Sequence, residues 1–121
     1  MTYADWYRGY RTGLRANGSL ALGVAARCQR MLGPSVLDDQ LIEARRSLDT
    51  ASADDMPAAR GRTGALCLRS AGALVASTGG SALFTHHQAQ RLAREALFLL
   101  VQGQTPEIKN VHVAELSRQL L

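Results

Sequence analysis

The chain has 121 residues, enough for a single hydrophobic core and therefore for one domain. Hydrophobic residues make up 46% of it and charged residues 20%, which excludes an intrinsically disordered protein. Aromatic residues are only 5% while alanine is abundant, a balance that favours packed helices over a β-sheet. The longest apolar runs are far shorter than a membrane span, and residues 1–10 lack the apolar core of a signal peptide, so we expect a cytoplasmic protein without a membrane-spanning segment.

The net charge of +4 comes from the N-terminal part of the chain. Residues 1–30 contain five arginines and only one acidic residue, Asp5. Arg8, Arg11 and Arg15 are spaced three and four residues apart and would share one face of a helix. A solvated face, or a face that meets an acidic neighbour, is the simpler interpretation; a site for the phosphate of a nucleotide or a nucleic acid is the alternative.

The first 13 residues hold four of the six aromatic side chains, Tyr3, Trp6, Tyr7 and Tyr10. A bundle of alanine and leucine offers this cluster no obvious internal partner. We therefore predict that residues 1–13 are a connecting segment that packs on something before it.

The first helix is predicted from about Thr12 to Leu32, where apolar residues recur at helical spacing. Gly13, Gly18 and Gly23 weaken it by roughly 1 kcal/mol each against alanine, and we predict that they let another helix approach closely. The Gly33–Pro34 pair ends it. Its predicted buried positions are Leu14, Leu20, Leu22, Val24, Ala25, Cys28 and Leu32.

The second helix is predicted to begin after Ser35, which caps it. Asp38, Asp39 and Glu43 are explained by the positive end of the helix dipole rather than by a metal site, because no histidine or further ligand stands nearby in the sequence. The predicted apolar stripe is Val36 or Leu37, then Leu41, Ala44, Leu48 and Ala51.

The third helix is predicted to open at Asp54 or Asp55, with Pro57 in its first turn. Residues 65–76 are apolar almost all round. This pattern is typical of a helix at the centre of a bundle.

The last two helices are separated by a glycine turn. Thr85 is the predicted cap of the fourth helix, with Gln88 three residues on as the other half of a capping box. Gly103 ends that helix, and Thr105 with Pro106 starts the last one. The last helix is predicted to extend to about Leu121, and Arg91, Arg94 and Glu95 to take the solvent side of the fourth helix. The predicted core positions are Ala89, Leu92, Ala93, Ala96, Leu97 and Leu100 in the fourth helix and Ile108, Val111, Val113, Leu116 and Leu120 in the last.

Few residues in the chain are able to carry chemistry. His86 and His87 are adjacent, so on a helix they would point in different directions, and His112 stands alone. We predict surface or capping roles for all three histidines, and no metal site. Cys28 and Cys67 lie inside apolar helical patterns and are predicted to be buried, reduced thiols.

These segments together predict an all-α fold, an antiparallel up-down bundle of four to five helices formed by residues 14–121. Short turns between the helices favour neighbours that run in opposite directions. The sequence contains no strand pattern and no internal repeat.

The order of motifs in the C-terminal third carries a resemblance. The Gly79–Gly80 pair is followed by a short loop, by a helix that contains R-x-x-R-E-A at residues 91–96, by a V-x-G turn at residues 101–103 and by a final helix. This order resembles the C-terminal helical domain of the acyl-CoA dehydrogenase superfamily, over about residues 14–121. The resemblance implies a helical bundle and an FAD cofactor beside the double glycine.

The residues at the chemical positions of that family differ here. The glutamate that removes a proton from the acyl thioester corresponds to Gln102, just before Gly103, and a neutral amide is not a general base near pH 7. Residues 6–42, where some members place the glutamate instead, contain none. Ala76 replaces a glutamine that contacts the flavin nucleotide, and residues 31–39 lack the family's arginine–phenylalanine–glycine segment. The resemblance therefore implies a domain without a catalytic base, with FAD bound only in a complete protein or with a partner chain.

Three functions follow as hypotheses. The chain is the C-terminal domain of an acyl-CoA dehydrogenase-like flavoprotein, an oxidoreductase acting on the CH–CH group of acyl-CoA, and supports FAD binding and oligomer assembly. Alternatively, it is a non-catalytic helical module for interaction or oligomerisation. In both cases we expect a homo-oligomer, missing N-terminal domains or a partner chain. The third hypothesis, nucleic-acid binding, rests on the pI of about 9.7 and is the weakest, because no predicted helix has a basic exposed face interleaved with aromatic residues.

Overall fold

The structure, a computed structural model, describes residues 1–118, and this part of the chain is all-helical. No strand occurs in it, so the predicted fold class is confirmed at this level. A short 3₁₀ helix, Gly80–Leu83, precedes the fourth of its α-helices. The α-helices are α1, Tyr3–Leu32; α2, Leu37–Thr50; α3, Met56–Thr78; α4, Gln88–Val101; and α5, Pro106–Leu116.

The helix α1 begins at Tyr3, so the predicted start at about Thr12 is wrong. The reason is a capping box at its first turn: the Thr2 hydroxyl accepts a hydrogen bond from the Asp5 N–H at 3.1 Å, and the Asp5 carboxylate accepts one from the Thr2 N–H at 3.3 Å. Residues 3–13 are therefore the first turns of α1. A domain boundary at residue 14 stays a prediction.

Two of the four N-terminal aromatic residues contact the rest of the chain, contrary to the prediction. The Tyr7 hydroxyl donates to Asp54 at 3.0 Å, and the Tyr10 hydroxyl lies 2.8 Å from the Thr105 hydroxyl. The other two, Tyr3 and Trp6, are exposed. We call these four residues the aromatic stripe of α1. Its Tyr7 and Tyr10 end is held by hydrogen bonds to the rest of the chain, and its Tyr3 and Trp6 end is open to solvent.

The helix α3 is the centre of the fold, as its apolar pattern predicted. It packs against each of the other four α-helices and against the 3₁₀ helix. Leu66, Cys67 and Ala71 are at most 1% exposed. Buried residues of the other helices join it in one hydrophobic core, among them Leu14 of α1 and Leu48 of α2.

The predicted close helix approach is confirmed at Gly18 and is wrong at the other two glycines of α1. A Cβ atom at Gly18 would lie 2.8 Å from a methyl carbon of Leu48 on α2, whereas Gly13 and Gly23 have no neighbour within 4 Å. Leu48 is completely buried against this glycine. Of these three glycines, Gly18 is therefore the one at which α2 packs closely on α1.

Several apolar residues that were predicted to be buried are exposed. Residues 96–101 of α4 are apolar around the whole circumference of the helix, and only Ala96 and Leu99 are buried, with Leu100 half-buried. Consecutive residues are rotated by about 100°, so an unbroken apolar run cannot face one neighbour. The exposed ones are Leu20, Leu97, Val113 and Leu116, together with Val36 of the Val36-or-Leu37 alternative, while Leu120 lies outside the described residues.

The helix ends agree with the sequence in part. Thr105 caps α5, its hydroxyl accepting from the Ile108 N–H at 3.3 Å, with Pro106 in the first turn as predicted. The Ser35 hydroxyl accepts from the Leu37 N–H at 3.1 Å, but the N-cap residue of α2 is Val36, so the predicted cap is one residue too early. The cap of α4 is His87 and not Thr85, because the 3₁₀ helix and the turn after it delay the start of α4. Among residues 1–118, no helix combines the length and the apolar character needed to cross a bilayer.

Candidate functional site

The double glycine lies at the end of α3 on an open surface. Gly79 is the C-cap, with φ of +85°, and its N–H donates to the carbonyl of Val75 at 3.0 Å. Gly80 opens the 3₁₀ helix. Both are exposed, and no heavy atom lies within 4 Å of a Cβ built at either position. The backbone here is accessible to a flat ligand, but the chain encloses none of it.

Gln102 and Gly103 form the turn after α4. Gln102 is half-buried, and its N–H donates to the carbonyl of Phe98 at 2.9 Å. Gly103 has φ of +62°, which favours glycine, and a Cβ there would lie 3.2 Å from the side-chain nitrogen of Asn17 on α1, which would have to shift slightly. The two predicted pairs flank α4, which is about 21 Å long, and no described hydrogen bond joins them.

The last four carbonyl groups of α4, just before the Gln102 turn, all have hydrogen-bond partners. The carbonyl of Phe98 accepts from Gln102, and that of Val101 accepts from the Gln104 N–H at 3.1 Å. The remaining two, of Leu99 and Leu100, accept from side chains on other helices. A helix leaves four such carbonyls without intrahelical partners, and all four are satisfied here.

The first of these side chains is Arg60, which is only 1% exposed. Its guanidinium donates to the carbonyl of Leu99. Within residues 1–118 no carboxylate lies within 4.0 Å of it, so the negative end of the α4 dipole is its counter-charge. Burial lowers the pKa of Arg60 from its ordinary range. The sequence interpretation did not anticipate this buried cation.

The second is His112, which is 4% exposed, so the surface or capping role predicted for it is wrong. Its Nδ1 lies 3.0 Å from the carbonyl oxygen of Leu100, and its Nε2 lies 3.4 Å from a guanidinium nitrogen of Arg60. A carbonyl oxygen only accepts, so the contact with Leu100 places a proton on Nδ1. Burial, and secondarily the charge of Arg60, lower the pKa of His112.

The other two histidines agree with the prediction. His86 is exposed, and the His87 ring accepts from the Ala89 N–H at 3.0 Å at the start of α4. His112 differs because of its surroundings on α3, which nothing in its own local sequence reveals.

Two glycines on α3 make room for α5. A Cβ at Gly64 would lie 2.4 Å from Nε2 of His112 and 3.1 Å from the Arg60 guanidinium. A Cβ at Gly61 would lie 3.2 Å from the side chain of Val111. These two glycines stand three residues apart, on one face of α3, and allow the imidazole ring to reach the end of α4. In the sequence, two glycines three residues apart directly after Arg60 were the one sign that another side chain packs closely here.

The described residues offer little for catalysis or metal binding. No group of three or more possible metal ligands occurs in residues 1–118. Cys28 and Cys67 are fully buried, as predicted, and burial raises their pKa values to about 11 and about 12. Both thiols are thus protonated and inaccessible near neutral pH. Arg60 and His112 therefore have a structural role: their hydrogen bonds hold the end of α4 that precedes the Gln102 turn.

We predict that Gly64→Ala destabilises the protein by about 1–3 kcal/mol or more, because its methyl group collides with the rigid imidazole of His112. The matched control is Gly72→Ala on the same helix, where no atom lies within 4 Å. That change should be neutral or stabilise by up to about 1 kcal/mol through helix propensity. Urea unfolding of both variants measures the difference, and equal effects would contradict the crowded geometry.

A second prediction concerns the pH dependence of stability. The fold lowers the pKa of His112 below 6.5, so the unfolded chain takes up a proton that the folded chain resists. The stabilisation is complete above that ordinary pKa and is lost as the pH falls towards the lowered one. The free energy of unfolding should decrease by up to about 1.4 kcal/mol per pH unit in that window.

The measurement is urea unfolding at about pH 7.5 and about pH 5.5. His112→Gln should be less stable at the higher pH but depend less on pH than the wild type. His86→Gln, at an exposed position, should keep the wild-type dependence. An unchanged slope in His112→Gln would show that another group is responsible.

Comparisons of the chain with protein-family models, with curated proteins and with solved structures found no match. The choice between the possible functions therefore depends on the motifs in the sequence and on the geometry of the residues that carry them.

Proposed function

We propose that the chain is the C-terminal helical domain of an acyl-CoA dehydrogenase-like flavoprotein, and that it supports cofactor binding and assembly without supplying the catalytic base. The helices would run up and down in antiparallel order, which is supported by the short connections at residues 33–36, 51–55 and 102–105. A cytoplasmic location, where the two buried thiols stay reduced, belongs to the same proposal.

The observation that carries the proposal is a second apolar face on α4. Leu97, Phe98 and Val101 are each more than half exposed, and we call them the α4 outer face. Val101 follows Leu97 by four residues and Phe98 by three, the spacings at which side chains are neighbours on a helix surface. A helix that is apolar on both its buried and its exposed sides is typical of one that packs between two bodies. We infer that another domain or another copy of the chain covers the α4 outer face.

The flavoprotein context is supported by the order of elements around α4. The double glycine, the short 3₁₀ helix, α4, the Gln102–Gly103 turn and α5 follow one another as in the family resemblance. FAD would supply the redox chemistry of an acyl-CoA dehydrogenation. The exposed backbone at Gly79 and Gly80 fits one wall of a flavin site and no more, since a flavin ring needs enclosure on several sides.

The buried support beneath Gln102 adds to the same interpretation. Arg60 and His112 fix the end of α4, and so the direction in which the turn after it leaves the helix. The side chain at this turn is an amide, which neither takes up nor releases a proton at neutral pH. The domain would therefore present a positioned but unreactive group to an acyl thioester.

Nucleic-acid binding receives less support, because the N-terminal arginines have partners within the chain. Arg8 pairs with Asp5 at 2.6 Å, and Arg11 pairs with Glu107 at 3.2 Å. Arg15 donates to the carbonyl of Ala51 at 3.0 Å. These contacts favour the interpretation of a solvated or internally paired face over a phosphate site.

A helical oligomerisation module without any flavin is the second candidate. It is favoured by the exposed end of the aromatic stripe on α1, where the Tyr3 and Trp6 rings lie 5.9 Å apart and are 76% and 51% exposed. Such large exposed rings are common at interfaces between chains. Both candidates require association, and they differ in whether FAD is present.

For association, we predict dimers or tetramers of the purified chain by light scattering. Phe98→Glu should shift them towards monomers, because it places a charge in the middle of the α4 outer face. Ile42→Glu is the matched control: Ile42 is equally exposed, but it lies on α2 beside Arg45, Arg46 and Asp49. A monomeric wild-type chain at high concentration would count against a self-associating face.

For the flavin, we predict that FAD co-purifies with the chain only when the chain is produced together with the product of the reading frame immediately upstream of its gene. In that pair, Gln102→Glu should create or increase dehydrogenation of an acyl-CoA, since a carboxylate is a competent base. Gln104→Glu, in the same turn but exposed, is the control and should not. Tight FAD binding or turnover by the wild-type chain alone would refute the proposed division of roles.

A further inference from the structure

The helix α1 carries a row of residues that the rest of the described chain does not cover. Its members are spaced alternately by three and four residues, so they lie along one side of the helix for about 36 Å. Every one of them is exposed. The row consists of Trp6, Gly9, Gly13, Ala16, Leu20, Gly23, Arg27 and Arg30. We call it the α1 outer row.

The packing within the chain does not account for the composition of this row. Three of its members are glycines, which weaken a helix, and no atom lies within 4 Å of a Cβ built at Gly9, Gly13 or Gly23. Its two large apolar side chains, Trp6 and Leu20, are 51% and 55% exposed. The row therefore combines apolar side chains with bare backbone on the solvent side of the helix.

The α1 outer row is complementary to itself when it is reversed. If two copies of α1 lie side by side in opposite directions and cross near Gly18, positions equally far from Gly18 face each other. Leu20 of one copy then faces Ala16 of the other, so a large side chain meets a small one. Gly13 faces Gly23, which allows the two helices to approach closely at these points.

The two ends of the row complement each other in charge. In the same arrangement Arg30 of one copy faces Trp6 of the other, and a guanidinium over an indole ring makes a favourable cation–π contact. Arg27 faces Gly9, and Asp5 lies one turn before Gly9 on the same side of α1. Each end of the pair would thus bring a carboxylate and an aromatic ring to two arginines.

Both arginines are available for these contacts. Within residues 1–118 no carboxylate oxygen lies within 4.0 Å of the guanidinium of Arg27 or Arg30. Arg27 lies beside the side-chain amide of Gln88, which is neutral. Asp5 pairs with Arg8 at 2.6 Å in an exposed position, and a carboxylate has enough acceptor sites for a second arginine.

From this arrangement we infer that the α1 outer row is the contact surface between two copies of the chain, related by a two-fold axis near Gly18. In such a contact one patch has to serve on both subunits, and a row that is complementary to its own reverse meets that condition. The inference rests on the proposed function only in that both require association. It involves neither FAD nor the α4 outer face.

Disulfide trapping tests the contact and its direction. Ala16→Cys and Leu20→Cys are made separately, and the native thiols of Cys28 and Cys67 are fully buried. An equimolar mixture, oxidised with copper phenanthroline, should give mainly the mixed dimer, because a disulfide needs Cα atoms within about 7 Å of each other. Mass spectrometry distinguishes the dimers. No dimer, or a mixed dimer at or below the half expected for random pairing, would overturn the inference.

The glycines provide a second measurement. Gly13→Gln and Gly23→Gln should each raise the dissociation constant of the dimer about tenfold in sedimentation equilibrium, because the added side chain separates the helices. The urea midpoint of the dilute chain should stay unchanged or rise, since the space is open and glutamine favours a helix. Gly72→Gln, exposed on α3 with no atom within 4 Å, should leave the dissociation constant unchanged. An unchanged constant in both α1 variants would refute the contact.

The variant Phe98→Glu separates this contact from association through the α4 outer face. Trapping of the mixed dimer should persist in that background, and its loss would overturn the assignment to α1. Trapping that persists while Phe98→Glu leaves the assembly unchanged would support the α1 contact and count against the proposed role of the α4 outer face. A wild-type chain that is monomeric at high concentration would refute both.

Discussion

Near the C-terminal end of α4, the carbonyl groups of Leu99 and Leu100 face the packed side of the helix and need hydrogen-bond donors from other parts of the chain. A buried carbonyl without a partner costs about 1–3 kcal/mol, so leaving two of them open would remove a large share of the stability of a domain of this size. Arg60 from α3 and His112 from α5 fill this need. Three helices are thereby fixed to one another at a single point, and the direction of the following turn is set by the same contacts.

This solution places a positive charge in the core. A buried guanidinium without a carboxylate is ordinarily unfavourable, but the negative end of a helix supplies about half an elementary charge where the hydrogen bonds form. His112 remains neutral, which avoids a second buried cation beside Arg60. Space for both side chains comes from Gly61 and Gly64, within one turn of Arg60. A short stretch of α3 thus provides the charge and the room that the end of α4 requires.

The parts of the fold that local sequence signals determine were predictable. The apolar surround of residues 65–76 identified α3 as the central helix, and Thr105 with Pro106 marked the start of α5. The Thr2–Asp5 pair, which begins α1, is a local signal that the prediction of a connecting segment at residues 1–13 did not use. The exposure of Leu97 was not predictable from spacing, because an unbroken apolar run does not reveal which side its neighbours cover.

The candidate site divides in the same way. The positive φ angles at Gly79 and Gly103 follow from glycines at helix ends, a local feature that the sequence displays. The cluster beneath the Gln102 turn joins Arg60 to His112, which are far apart in the chain. It also requires a third residue, Gly64, whose lack of a side chain leaves room for the imidazole ring. Contacts of this kind arise from the packing of whole helices and leave no periodic pattern in the sequence.

The shortness of α5 has a consequence for the motions of the protein. The helix spans Pro106–Leu116, and a helix of this length is marginal in water unless it packs against something. Its buried side chain His112 is also the partner of the Leu100 carbonyl near the end of α4. Separation of α5 from α3 would therefore leave that carbonyl without its donor, so the end of α4 should become less protected whenever α5 opens, while the contact of α1 with α3 stays intact.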